Sequence, residues 1–270
     1  MKRIPTFEGV EAETMGKPKY PVSAIERALE ILMLLFREKR EMGITEIAAA
    51  MGLHKSTVHR ALTTLQEYGF VEQNPVTSKY WLGIRLFSLG MLYREKMRIQ
   101  DLARPFTEEL ARKCREVVHM GILENQHEIG RVLVIDKVET EQILSLTPRI
   151  GSGTPAHCSA MGKMLLAYQS DEYLEKFAAQ GLPRYTKNTI TDLEELKQEL
   201  RKIKEQGYAL DREEIEVGLT CVAAPILDGH GKAIAAVSVS GPVTRITPER
   251  LPLIINDVKE TAARISEQIR

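Results

Sequence analysis

Between Ser23 and Arg37 the residues Ile25, Ala28, Leu29, Leu32 and Leu35 recur at intervals of three and four. That is the period of a helix with one face in a core, and Ser23 is expected to cap its start. After Gly43 a short helix is predicted from about Thr45 to Met51, with Ile47, Ala48 and Met51 inward and Gly52 ending it. A third follows from about Lys55 to Tyr68, burying Val58, Ala61, Leu62 and Leu65, and Gly69 stops it. Two extended runs, Phe70 to Gln73 and Lys79 to Leu82, flank Asn74-Pro75-Val76-Thr77-Ser78, whose Asn-Pro marks a hairpin turn. Residues 1–20 carry no apolar period and are expected to form a mobile arm.

Helical patterns continue over Ile84 to Met97 and Leu102 to Arg115, with a break and domain boundary near Arg98 to Asp101. Beyond it the spacing predicts strands at Val117 to Leu123, Arg131 to Val138 and Ile143 to Thr147, then a Gly-rich loop, Gly151 to Pro155. Helices at Ser159 to Tyr168, Asp171 to Ala179 and Asp192 to Gln206 follow. Strands near Tyr208 to Leu210, Cys221 to Leu227 and Ala233 to Ser240 precede a final amphipathic helix, Pro248 to Ile269. Strands in antiparallel-looking pairs with flanking helices predict an α+β class of two domains.

Composition narrows the class. With 270 residues, 43% hydrophobic and 27% charged, the chain is expected to be a globular protein of one or two domains. Its longest apolar runs, such as Ile31 to Phe36, fall far short of the roughly 20 residues that span a bilayer, so no membrane is expected as a partner. No secretion signal is recognisable in residues 1–19. Cys114, Cys158 and Cys221 are odd in number and widely spaced, which predicts reduced thiols in the cytoplasm. The formal net charge of zero conceals an asymmetry: residues 1–98 carry 15 Lys plus Arg against 11 Asp plus Glu, and residues 99–270 carry 22 against 26. The N-terminal part is therefore the candidate for an anionic partner.

Three helices and a hairpin, the second and third helices joined by Met51-Gly52-Leu53-His54, have the order of a winged helix-turn-helix. With Val58 at the buried centre of the third helix, steps of 100° leave Ser56, His59, Arg60, Thr63 and Thr64 on the opposite face. Hydroxyl, imidazole and guanidinium groups can bond base edges or phosphate oxygens. The candidate DNA contacts are thus Lys55, Ser56, Thr57, His59, Arg60 and Thr63, with Lys79 on the hairpin. A solvated outer face is the competing reading.

In the second domain, Ser238 and Ser240 share one face of a strand where apolar side chains are expected. Bonds to nearby backbone are the alternative use of such hydroxyls. Cys221 lies on a neighbouring strand, where a free thiol is commonly a small core group. Asp211 heads an acidic cluster with Glu213, Glu214 and Glu216, a pattern typical of a solvated turn. Gly151-Ser-Gly-Thr-Pro before a helix would aim free amides at a bound carboxylate.

The stretch Ile44-Thr-Glu-Ile-Ala-Ala-Ala-Met-Gly-Leu-His-Lys-Ser-Thr-Val-His-Arg-Ala-Leu-Thr-Thr-Leu resembles the helix-turn-helix of the IclR family of bacterial transcription regulators. Further blocks are similar: Pro155-Ala-His-Cys-Ser-Ala-Met-Gly-Lys163, Gly207-Tyr-Ala-Leu-Asp-Arg-Glu-Glu214, Val217-Gly-Leu-Thr-Cys-Val-Ala-Ala-Pro225 and Ala236-Val-Ser-Val-Ser-Gly-Pro242. The resemblance implies a winged helix-turn-helix over residues 21–83, a linker helix over 84–98 and a GAF-like effector-binding domain over 99–270. It also implies operator DNA and a small organic acid as partners, and assembly as a homodimer or dimer of dimers. The family's effector contacts carry to the amides of Ala160 and Met161, to Asp211 and Cys221, and to Ser238 and Ser240. Met161 is larger than the family's usual residue there and is expected to reshape the cavity.

Catalysis is not expected. Gly162-Lys163 lacks the remainder of a phosphate-binding loop, with His157 where the first glycine would stand and Met164 in place of Ser or Thr. Gly151 to Ala156 fits G-x-G-x-x-A without a surrounding βαβ series. His157 and Cys158 are adjacent, so their side chains diverge rather than pair. A zinc site from His157, Cys158 and Cys221 lacks ligand spacing, and no cofactor is implied.

Overall fold

In a computed structural model, residues 22–124, 130–140 and 148–269 are described. The expected arm over 1–20 and the expected strand over 143–147 lie outside them. The chain divides into two compact units at Arg98 and Ile99.

In the first unit, α1 (Ser23–Glu38), α2 (Ile44–Met51) and α3 (Lys55–Glu67) precede a hairpin of β1 (Val71–Gln73) and β2 (Tyr80–Leu82). Ile31, Leu34, Leu35, Met42, Ile47, Val58, Leu62, Val71 and Tyr80 form its core. Gly52, at φ 63°, ends α2 in the left-handed region that glycine tolerates. Two expectations for α1 need correction. Val22 occupies its N-cap position without a side-chain bond, so Ser23 is the first helical residue. Ile25 and Leu29 are exposed: α1 carries two apolar faces, and the inward one runs through Ala28, Ile31, Leu32 and Leu35. The outward one holds Val22, Ile25, Leu29, Met33 and Phe36. The next helix, α4 (Ile84–Lys96), has no buried residue.

The second unit begins with α5 (Ile99–Cys114), three residues before the predicted start. Strands β3 (Val117–Glu124), β4 (Arg131–Val138), β5 (Gly153–Pro155), β6 (Ala209–Arg212), β7 (Leu219–Leu227) and β8 (Ala233–Pro242) make one antiparallel sheet in the order β5-β4-β3-β8-β7-β6. The predicted loop Gly151 to Pro155 is partly strand, because Gly153 to Pro155 pair with Leu133 to Arg131. Helices α6 (Ala160–Leu166), α7 (Asp171–Ala178) and α8 (Leu193–Gln206) share a core with one sheet face, through Met164, Leu166, Phe177, Leu196, Ile203, Cys221 and Ala223. The long α9 (Leu251–Ile269) packs on β7 and β8. Gly162 allows α6 to approach the turn that follows β5, since a Cβ there would stand 2.3 Å from the Ala156 backbone.

Candidate nucleic-acid interface and ligand site

In the first unit, Val58, Leu62 and Leu65 anchor α3 in the core. Lys55, Ser56, His59, Arg60 and Thr63 are consequently exposed together on its outer side, and Thr57 is half-buried. The Thr63 hydroxyl donates to the His59 carbonyl at 2.9 Å, and Thr64 does the same to Arg60 at 3.1 Å. Their protons are committed to the helix backbone, so towards a partner they offer acceptor lone pairs. The hairpin is fixed by its own chemistry. Asn74 Oδ1 accepts from the amides of Val76 and Thr77 at 2.9 and 3.2 Å, an Asx turn that shapes the tip. Met42 and Tyr80 exchange backbone bonds of 3.0 and 2.8 Å, which ties the α1–α2 turn to β2. On the hairpin, Lys79 Nζ lies 3.5 Å from Glu46 Oε2. The same carboxylate accepts from Arg40 Nη1 at 2.7 Å and from the Gly43 amide at 2.8 Å. Those two bonds hold the Glu46 carboxyl at about 2, below the usual carboxylate range.

In the second unit, strand register gathers the polar candidates. Asp211 is opposite Cys221, which is opposite Ser240. One pleat along, Ala223 faces Ser238, and Ser238 faces His119 on β3. Because side chains alternate along a strand, all of these project from one face, the face that shares its core with α6. Asp211, Cys221, Ser238 and Ser240 are all buried. Burial raises the Cys221 thiol's pKa well above the ordinary thiol value. Ser240 Oγ stands 3.5 Å from His119 Nδ1. Burial also pushes the His119 imidazole down to about 3, with Lys137 adding to the effect, so the ring is neutral. Asp211 is pushed up to about 7, first by burial, against a 2.7 Å hydrogen bond that its Oδ1 accepts from the Glu214 amide. Among the described residues, His119 Nε2 and Asp211 Oδ2 are buried without a hydrogen-bond partner.

Around this row the outcome is mixed. Ser159 caps α6 by accepting from the Gly162 amide at 3.2 Å, leaving the first-turn amides of Ala160 and Met161 outside the helix's own hydrogen bonding. The Met161 side chain is a core group, its sulfur packed where Gly121 has no side chain. The acidic cluster is not a solvated turn: Asp211 and Glu214 are buried, and Glu214 takes a hydrogen bond from the buried Lys163 ammonium. Lys163 and His119 escape sequence reasoning. For Lys163 the one available signal was a lysine inside the apolar run Ala160 to Leu166. His157 and Cys158 are also buried, with His157 Nε2 bonded to the Pro183 carbonyl at 2.9 Å.

The IclR helix-turn-helix domain model matches residues 24–75, and the bacterial transcriptional regulator IclR C-terminal model matches residues 91–267. The chain belongs to the IclR family of DNA-binding transcription regulators. It is 35% identical over 256 residues to the HTH-type transcriptional regulator KdgR of Escherichia coli, covering 94% of this chain and 95% of that one. It is 33% identical over 245 residues to the transcriptional repressor IclR of the same organism, covering 88% of each. Among solved structures, an IclR homolog from Microbacterium hydrocarbonoxydans complexed with 4-hydroxybenzoate superposes with a TM-score of 0.80 at 26% identity, covering 92% of this chain and 99% of that one. These relatives are regulators, and so is this chain rather than an enzyme. Among the described residues, no helix is long and apolar enough to cross a membrane.

Proposed function

We propose that the chain is a cytoplasmic, effector-controlled regulator working as a homodimer or dimer of dimers, with residues 21–83 reading operator DNA, 84–98 linking and 99–270 sensing. In this reading α3 enters the major groove with Lys55, Ser56, Thr57, His59, Arg60 and Thr63, while Lys79 serves the phosphate backbone. A small organic acid binds between α6 and the polar sheet face, against Asp211, Cys221, Ser238 and Ser240 and the amides of Ala160 and Met161. The observation that carries the ligand reading is the unpartnered Asp211 Oδ2 on that buried row. Interior polar atoms ordinarily have partners, and a carboxyl poised near pH 7 can give or take a proton in a bond to a ligand hydroxyl. A seven-residue α6 contributes little dipole, so the built side chains do most of the selecting. A hydroxy or oxo acid suits the row better than a plain fatty acid, since an ionised Asp211 would repel a second carboxylate. The 4-hydroxybenzoate bound by the M. hydrocarbonoxydans homolog is of that kind.

Assembly is supported by two apolar surfaces left exposed among the described residues, the outward face of α1 and, on α4, Ile84, Phe87, Leu92 and Tyr93, these four being 68, 65, 65 and 63% exposed. Apolar surface left open on this scale is characteristic of protein interfaces, and a second copy offers the same faces in return. The test of the whole is a thermal-shift screen with small carboxylic acids, followed by retardation of duplex DNA from the chain's own upstream region. A true effector at 100 times its Kd adds roughly 2.7 kcal/mol of stability. Changing Ser238 and Ser240 together to Ala is expected to abolish the effector's influence on DNA while ligand-free DNA affinity persists. An unaltered response in that variant would refute the pocket.

A further inference from the structure

A carboxylate at the start of α2 is out of place for a DNA-binding surface. In a helix-turn-helix the first helix crosses the sugar-phosphate backbone while the second enters the groove, and Glu46 stands in the first turn of that first helix. Left bare, it would repel phosphate. It is not bare: Arg40 from the turn before α2 and Lys79 from the wing both close on it, at 2.7 and 3.5 Å. Arg40 Nε also holds Glu38 at a longer 3.2 Å, leaving Lys79, among the described residues, as the cation that Glu46 alone engages. The neighbouring Glu41 is engaged differently. It accepts from Asn74 Nδ2 at 2.9 and 3.2 Å and from Thr77 Oγ1 at 3.0 Å, so it fastens the wing tip through neutral donors.

We infer that Glu46 is a positioning residue for DNA binding: it acts as an internal counterion that holds Arg40 and Lys79 in the free protein and competes with phosphate for them as the duplex docks. The side chains of Arg40, Lys79 and Glu46 retain 49, 43 and 38% exposure. Exposed pairs of this sort are weak and readily exchanged, so the cations can be handed to a phosphate without disturbing the core. Because the Gly43 amide and Arg40 keep Glu46 ionised well below neutral pH, the competition operates throughout the physiological range. The consequence is a tempered sequence-independent grip, since that component of binding rests on cations that neutralise phosphates. This inference depends only on the chain's membership of a DNA-binding family and not on the effector site.

The experiment uses the full chain and a random-sequence duplex, with affinity measured across a potassium chloride series. Glu46→Gln keeps an oxygen for the Gly43 amide but loses the charge. The salt slope is expected to steepen by about 0.9, the increment for one more neutralised phosphate, and affinity near 0.1 M salt to rise roughly eight-fold. Glu41→Gln adds the same net charge without freeing a cation, and is expected to leave the slope within error of the parent. Adding Arg40→Met and Lys79→Met to Glu46→Gln is expected to erase the gain. An unchanged slope in Glu46→Gln, an equal gain in Glu41→Gln, or weaker binding in Glu46→Gln would each overturn the inference.

Discussion

The ammonium of Lys163 and the carboxylate of Glu214 meet inside the second unit, both essentially withdrawn from solvent. Lys163 is carried by α6, and Glu214 follows β6. Thr186 and Thr189 bind the Glu214 carbonyl with their hydroxyls, at 3.2 and 2.6 Å, which fixes the segment that presents the carboxylate. Such a pair contributes little net stability while intact, but a single deletion strands a charge in the interior. Lys163→Met is therefore expected to lower unfolding free energy by about 3–5 kcal/mol. The double change Lys163→Met with Glu214→Leu should recover most of that loss. Urea denaturation of the four proteins in the cycle checks it; equal losses in the single and double variants would contradict the pairing.

Asp211 gives a pH signature. Its folded value of about 7 lies above the ordinary 3.8, so between those limits the folded chain holds a proton that the unfolded chain has released. Stability is then expected to fall as pH rises from about 4 to 7, by at most about 1.4 kcal/mol per pH unit from this group. Asp211→Asn, which can still accept from the Glu214 amide, should flatten that segment of the profile. Chemical denaturation at several pH values measures it, and a slope unaltered by the substitution would remove Asp211 as its source.

Arg60 tests the groove assignment. It is exposed on α3, behind the buried Val58 and Leu62, so Arg60→Ala should leave thermal stability almost untouched while weakening operator binding. A guanine contact predicts a loss of about 1–3 kcal/mol confined to certain sequences, whereas a phosphate contact predicts a uniform loss and a salt slope smaller by about 1. Full retention of operator affinity would place Arg60 away from the DNA.

For assembly, the informative side chains are Phe87 and Leu92 on α4, because nothing in α4 is buried and their replacement costs no core packing. Phe87→Glu combined with Leu92→Glu is expected to weaken self-association at least tenfold in sedimentation equilibrium without a change in melting temperature. Association of parental strength would mean that the second copy is held elsewhere.

The sequence was most legible where one local cause decides the outcome. Gly43, Gly52 and Gly69 punctuate the first three helices and the hairpin because a break needs only the glycine itself. It was least legible where the cause is distant. Ile25 and Leu29 fit a core stripe as well as Ala28 and Ile31 do; which face turned inward depended on α3 and β2, which only the folded unit supplies. Gly153 to Pro155 had no strand signal of their own and became one through β4. In the candidate ligand site, Ser238, Ser240, Cys221 and Asp211 were readable as polar interruptions or through resemblance. His119 was not, since its place beside Ser238 depends on the pairing of β3 with β8.

That pairing has a consequence for synthesis. Val117 on β3 pairs with Ser240 on β8, so the central seam cannot close until Ser240 has left the ribosome. The helix-turn-helix unit, complete by Arg98 and rich in local contacts, can fold while the rest is still being translated. A nascent chain would thus acquire its helix-turn-helix unit long before its second domain, and interrupted translation would release the first without the second.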